Sequence, residues 1–224
     1  MRVPKRIALL ALGLAVIIAA CAGPRATGDR MFDHFSRATS IQSALIVGDL
    51  DGARRPAAWI AEHQVVAWAS AGDRGWLEAL GTAAAEIRDA GSVDEAADAT
   101  GRLAESCAGC HTSVNDGPRF RSAGDPPDGD GQAAHMIRHL WAMDRMWEGL
   151  IGASQETWQA GARAIAEREP DEFAGGSAVA ALARAIHDGA NRAARTPAGE
   201  RAEVYADLLK TCAGCHTLVG AGAS

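Results

Sequence analysis

Cys107-Ala108-Gly109-Cys110-His111-Thr112 returns letter for letter as Cys212-Ala213-Gly214-Cys215-His216-Thr217, and the two hexapeptides lie 105 positions apart. The same offset carries Met31 onto Met136, His34 onto His139, Leu45-Ile46 onto Leu150-Ile151, and Ile60-Ala61-Glu62 onto Ile165-Ala166-Glu167. Aligned matches over so long a stretch mark a tandem duplication, and they make the repeat the unit of the fold.

Within each copy the apolar residues follow a helical period. Met31, Phe35, Ala38, Ile41 and Leu45 form one stripe, which Met136, Leu140, Met143, Met146 and Leu150 repeat. Gly48-Asp49 breaks the first helix, and Asp49 can cap a second that runs through Trp59 to about His63. Ala69 to Gly75 reads as a loop. A third helix holds Trp76, Leu80, Ala83 and Ile87. Ser92 with Glu95 forms a capping box for the fourth, which leads into Cys107; in the second copy Thr196-Pro197 opens the same helix. Strand-like alternation is missing and alanine is abundant. The expected fold is all-α, two up-down-up-down four-helix bundles in tandem, with residues 30–116 and 132–220 as the domains and the Pro- and Gly-rich stretch 117–131 as linker. In such a bundle the end of helix four lies beside the start of helix one. The Cys-Cys-His motifs should then neighbour Met31 and His34, or Met136 and His139.

The N-terminus reads as an export signal. Arg2, Lys5 and Arg6 precede an apolar run from Ile7 to Ala20, too short to span a membrane. Ile18-Ala19-Ala20-Cys21 resembles a bacterial lipobox, which would make Cys21 a lipidated first residue, with 21–29 as a tether. Ala22 after it resembles lipoproteins sent to the outer membrane. Loss of 1–20 moves the formal charge from −6 to −9. That balance argues against nucleic acid and anionic lipid surfaces as partners and suits a basic protein.

Setting Cys21 aside leaves four of the five cysteines, all in the two motifs. Cys-x-x-Cys-His is the signature of c-type haem attachment. Two thiols one helical turn apart can add across the two vinyl groups of a porphyrin edge, and the adjacent imidazole then becomes the proximal ligand of the iron. A tethered haem also adds core to a domain of modest size. One zinc held by both pairs would not call for a histidine after each pair, and a thioredoxin-like dithiol would need a β-α-β surround. Two haem c groups are expected, attached through Cys107, Cys110, Cys212 and Cys215, with His111 and His216 as axial ligands.

A haem motif near the C-terminal end of a four-helix bundle resembles the cytochrome c-prime family, over nearly all of 28–220. In methionine-ligated relatives a Met early in the first helix fills the sixth iron position, and the resemblance places Met31 and Met136 there. His34 and His139, one turn later, are the alternative distal ligands. The expected function is a dihaem electron carrier on the periplasmic side, held to a membrane through lipid alone and working between redox proteins or membrane-bound complexes. A five-coordinate gas-binding or sensing protein is the alternative the family implies. Enzymatic readings, such as a dihaem peroxidase or a thiosulfate-oxidising dehydrogenase, find no acid–base group set apart from the repeat. The tryptophans, Trp59, Trp141 and Trp147 among them, read as core or haem-packing groups. His63, His135 and His187 lack counterparts and are expected at the surface.

Overall fold

The computed structural model describes residues 31–63, 72–121, 124–167 and 176–220. The signal segment, Cys21 and the tether lie outside the described residues. The described chain is all-helical: α1 (31–46), α2 (Leu50–Glu62), α3 (Arg74–Asp89), α4 (Val93–Val114), α5 (Gly131–Ile151), α6 (Gln155–Ala166), α7 (Gly176–Ala193) and α8 (Arg201–Val219), with a 3-10 turn at Ala198–Glu200 leading into α8. None of the described helices is long and apolar enough to cross a membrane.

Helix boundaries recur at the sequence offset because the capping residues do. Asp49 accepts a hydrogen bond from the Gly52 amide at the start of α2, and Ser154 accepts one from the Thr157 amide at the start of α6. Ser92 takes the Glu95 amide while Glu95 reaches back to the Gly91 amide, closing a variant of the expected capping box. At the other end, α4 stops at Asn115 and α8 at Gly220. Both residues are left-handed, and their amides bond back to the last turn that carries the histidine. The turn after α1 uses Gly48 at a φ of 76°, whereas its counterpart after α5 is Ala153, a non-glycine held at a φ of 52°.

Neighbouring helices pack side by side, α2 on α3, α3 on α4, α5 on α6 and α7 on α8, and α4 also packs along α8. One continuous apolar cluster therefore runs through both halves, from Ile41, Leu45 and Ile60 to Trp147, Trp158 and Leu208. The α4–α8 crossing is close because Gly101 has no side chain there. A Cβ at Gly101 would stand 2.5 Å from the Ala202 carbonyl oxygen and 3.5 Å from the Ala206 Cβ. The halves also meet through α1 and α5. Gln42 donates to Asp144 and Trp147 donates to Thr39, both at 3.2 Å. Gln42 and Trp147 are repeat counterparts, as are Thr39 and Asp144. The pair of bonds therefore relates the halves as an approximate twofold would, each residue meeting the partner of its own counterpart.

The cores differ in content. The second half fills its centre with Trp147, Trp158 and Tyr205, ring to ring, with Trp158 donating to the Ala193 carbonyl and Tyr205 to the Met143 carbonyl. At the equivalent positions the first half has Gln42, Ala53 and Thr100, and Thr100 satisfies its buried hydroxyl on the Ala96 carbonyl.

Candidate functional site

Both Cys-x-x-Cys-His motifs lie in the last turns of helices, α4 and α8, where the three- and four-residue period puts Cys, Cys and His on neighbouring rows. The four thiols form no disulfide with one another. Burial pushes Cys107 and Cys212 up to about 12, with the second cysteine of each pair adding to the effect. Cys110 and Cys215 are raised as well, again first by burial. These are neutral thiols, the opposite of the lowered values that activate a dithiol redox pair. The two pairs do not converge either: among the described residues no three His, Cys, Asp or Glu side chains gather as a metal cluster.

The histidines reach across the duplication. His111 Nδ1 lies 3.0 Å from the carbonyl oxygen of Ile151, the last residue of α5. A carbonyl only accepts, so Nδ1 carries the proton and Nε2 is left with its lone pair, the state required of a metal ligand. His216 faces the carbonyl of Ile46, the repeat counterpart of Ile151, closely enough to raise the ring's basicity. Its Nδ1 does not reach full hydrogen-bond geometry, and burial, which acts more strongly, lowers the ring's pKa overall. Each proximal candidate therefore leans on the end of the other half's first helix. The turn after α1 presses on the same place, since a Cβ at Gly48 would come 3.0 Å from Thr217 Oγ1.

A cavity of about 430 Å³ opens beside the second motif, a size usual for cofactor pockets, roughly 300–1,000 Å³. Cys212, Cys215 and His216 form one wall. Met136, His139 and Leu140 of α5 face them, Leu182 and Ile186 of α7 add an apolar side, and Ile46 and Val47 close the end from the first half. The expected juxtaposition of α8's motif with Met136 and His139 is present here. Residues of this kind fit a haem: thiols one turn apart, an imidazole beside them, and walls that are otherwise apolar.

The first motif is built differently. His34 is buried, and its Nε2 donates to the His63 carbonyl at 3.0 Å while its ring meets Trp59 edge-on at 5.3 Å. Met31 packs against the common core. Trp76 lies over Gly109, where a Cβ would come within 2.5 Å of the indole. The linker turns back over this end. Phe120 meets Phe35 at a tilt, ring centres 5.2 Å apart, and would meet a Cβ at Gly152 at 3.1 Å, and Gly117 approaches the His111 Cβ. Phe35 and Gly152 are the counterparts of Leu140 and Val47, two walls of the cavity beside the second motif. Phe120 thus rests on surfaces whose counterparts line the cavity beside the second motif.

His63 is exposed, as expected, and stacks on Trp59. His187 is half-buried and donates to the Ala166 carbonyl. His135 corrects the expectation of a surface residue. It is buried, with its ring 4.2 Å from that of His139, because α5 begins at Gly131, a full turn before Met136. Burial and the neighbouring His135 and His216 push His139 down to about 3. Sequence reasoning missed Ile46, Ile151, Trp76 and Phe120. A repeat identifies equivalent positions but carries no signal of which surfaces face each other across it.

Comparisons of the chain with protein-family models, with characterised proteins and with solved structures return no match.

Proposed function

We propose that the chain is an exported dihaem c-type cytochrome that carries electrons, built as two tandem four-helix bundles resembling the cytochrome c-prime family and tethered to a membrane through lipid on Cys21. The observation that carries this reading is the state of the motif histidines. His111 spends its Nδ1–H on a backbone carbonyl from the other half and so keeps Nε2 free as a donor, and His216 borders an apolar cavity together with Cys212 and Cys215. Cys107 and Cys110 would hold one haem and Cys212 and Cys215 the other, with His111 and His216 as proximal ligands. When bound, each group supplies an iron that alternates between the ferrous and ferric states.

The chain's own contribution is desolvation and restraint. The walls made by Leu140, Leu182 and Ile186 give the cavity an apolar lining, which favours a small reorganisation on gaining or losing an electron. The crosswise carbonyl of Ile151 fixes the orientation of the His111 imidazole and makes that ring a stronger ligand, and the Ile46 carbonyl stands beside His216 in the equivalent place. Buried, neutral thiols and pairs that do not converge speak against a catalytic dithiol and against a shared zinc.

The test is the absorption spectrum of the reduced holoprotein, made in a host that matures such cytochromes, before and after carbon monoxide. A carrier with both iron positions filled by side chains keeps its spectrum. A shift at both haems would refute the carrier and favour the gas-binding alternative.

A further inference from the structure

His34 and His139 are the same residue of the repeat, yet the structure uses them differently. His34 has its Nε2 bonded to the His63 carbonyl, tying α1 to the end of α2. His139 is set differently: the position matching Trp59, the ring His34 meets edge-on, is Ala164, and the His139 ring stands on the cavity wall facing Cys212, Cys215 and His216. Among the described residues no group exchanges a hydrogen bond with the His139 imidazole, although it is half-buried and packed on His135. Neither His139 nitrogen is sealed from solvent by the protein, so the ring is open to whatever fills the cavity, as a structural core histidine would not be. An imidazole nitrogen on this wall suits a Lewis-acidic metal.

We propose that His139 is the distal iron ligand of the second haem station and that His34 is a structural tie rather than a ligand, so the two stations carry different ligand sets. This rests on the haem reading above. The asymmetry extends to the surroundings, because Phe120 covers in the first half the surfaces whose counterparts line the cavity in the second. An axial histidine lowers a haem's potential relative to methionine, so with Met31 as the first station's distal ligand the second station is the lower-potential member of the pair.

The experiment is near-infrared magnetic circular dichroism with electron paramagnetic resonance on the ferric, full-length holoprotein, alongside its intact mass. The wild type is expected to show one bis-histidine centre per two haems. His139→Ala should abolish that signal and turn half of the iron high-spin, with two haems still attached. His139→Met, which keeps the bulk of the side chain, should replace the bis-histidine signal with a methionine–histidine one, and decides the matter if the alanine variant does not mature. His34→Ala should leave both haem signals in place and lower the melting temperature. Two attached haems with spectra unmoved by either His139 variant overturn the ligand assignment alone, as does loss of a haem signal in His34→Ala. A wild type without covalent haem overturns the haem reading itself.

Discussion

Gly101→Ala is the sharpest probe of the way the halves are joined. A methyl at this position would sit 2.5 Å from the Ala202 carbonyl oxygen, a backbone atom on α8 that no rotamer change can move aside. An ordinary carbon–oxygen contact is about an ångström longer, so α4 and α8 must separate by roughly that amount, and a gap of 0.5–1 Å forfeits about a quarter to a half of the dispersion energy of each lost contact. Overpacking of this kind costs about 1–3 kcal/mol, against which alanine returns about 1 kcal/mol of helix propensity. The expected net loss is up to about 2 kcal/mol, or a melting temperature up to about 8 °C lower for a chain of this size. Thermal and urea unfolding followed by circular dichroism measure it. Gly75→Ala in α3, where a Cβ meets nothing within 4 Å, is the control and should be neutral or slightly stabilising. If Gly101→Ala is as stable as the control, the helices do not cross here, and the crosswise support of His111 and His216 loses its basis.

Other outcomes follow from single sites. Ala153→Gly relieves a left-handed non-glycine and should raise stability by about 0.5–1 kcal/mol, which chemical denaturation would resolve. Tyr205→Phe leaves the Met143 carbonyl without its buried hydroxyl donor and should cost about 1 kcal/mol by the same assay. Burial raises the Asp144 carboxyl above the ordinary carboxylate range, outweighing Gln42 and Arg145. A raised acid binds its proton more tightly when folded, so its contribution to stability is full below the unfolded value and is lost as pH rises through the folded one. Asp144→Asn, which can still accept from Gln42, should therefore melt higher than the parent at pH 7, with the gap closing as pH falls below about 4; an unchanged gap across that range would contradict it.

Much of the architecture could be read from the residues. The 3.6-residue stripes, Asp49 and the Ser92–Glu95 pair marked the helices because each acts locally, through periodicity or a capping bond, whereas Pro197 opens the 3-10 turn Ala198–Glu200 and α8 itself begins at Arg201. The placement of Met136 and His139 beside the second motif also followed, since a short-looped bundle returns helix four to helix one. What stayed hidden was long-range and cross-repeat. Nothing local to His111 names Ile151 as its acceptor, and nothing local to Gly101 says that Ala202 will lie against it. Identical motifs likewise concealed the inequality of their settings, which depends on Trp59 becoming Ala164 and on Phe120 of the linker lying against Phe35.

The most direct test is the mass of the intact polypeptide under denaturing conditions, after maturation in a competent host. Two haem masses above the apoprotein are expected, falling to one when Cys212 and Cys215 are both replaced by serine. A mass equal to the bare chain, with all four motif thiols open to alkylation, would contradict covalent haem at both stations.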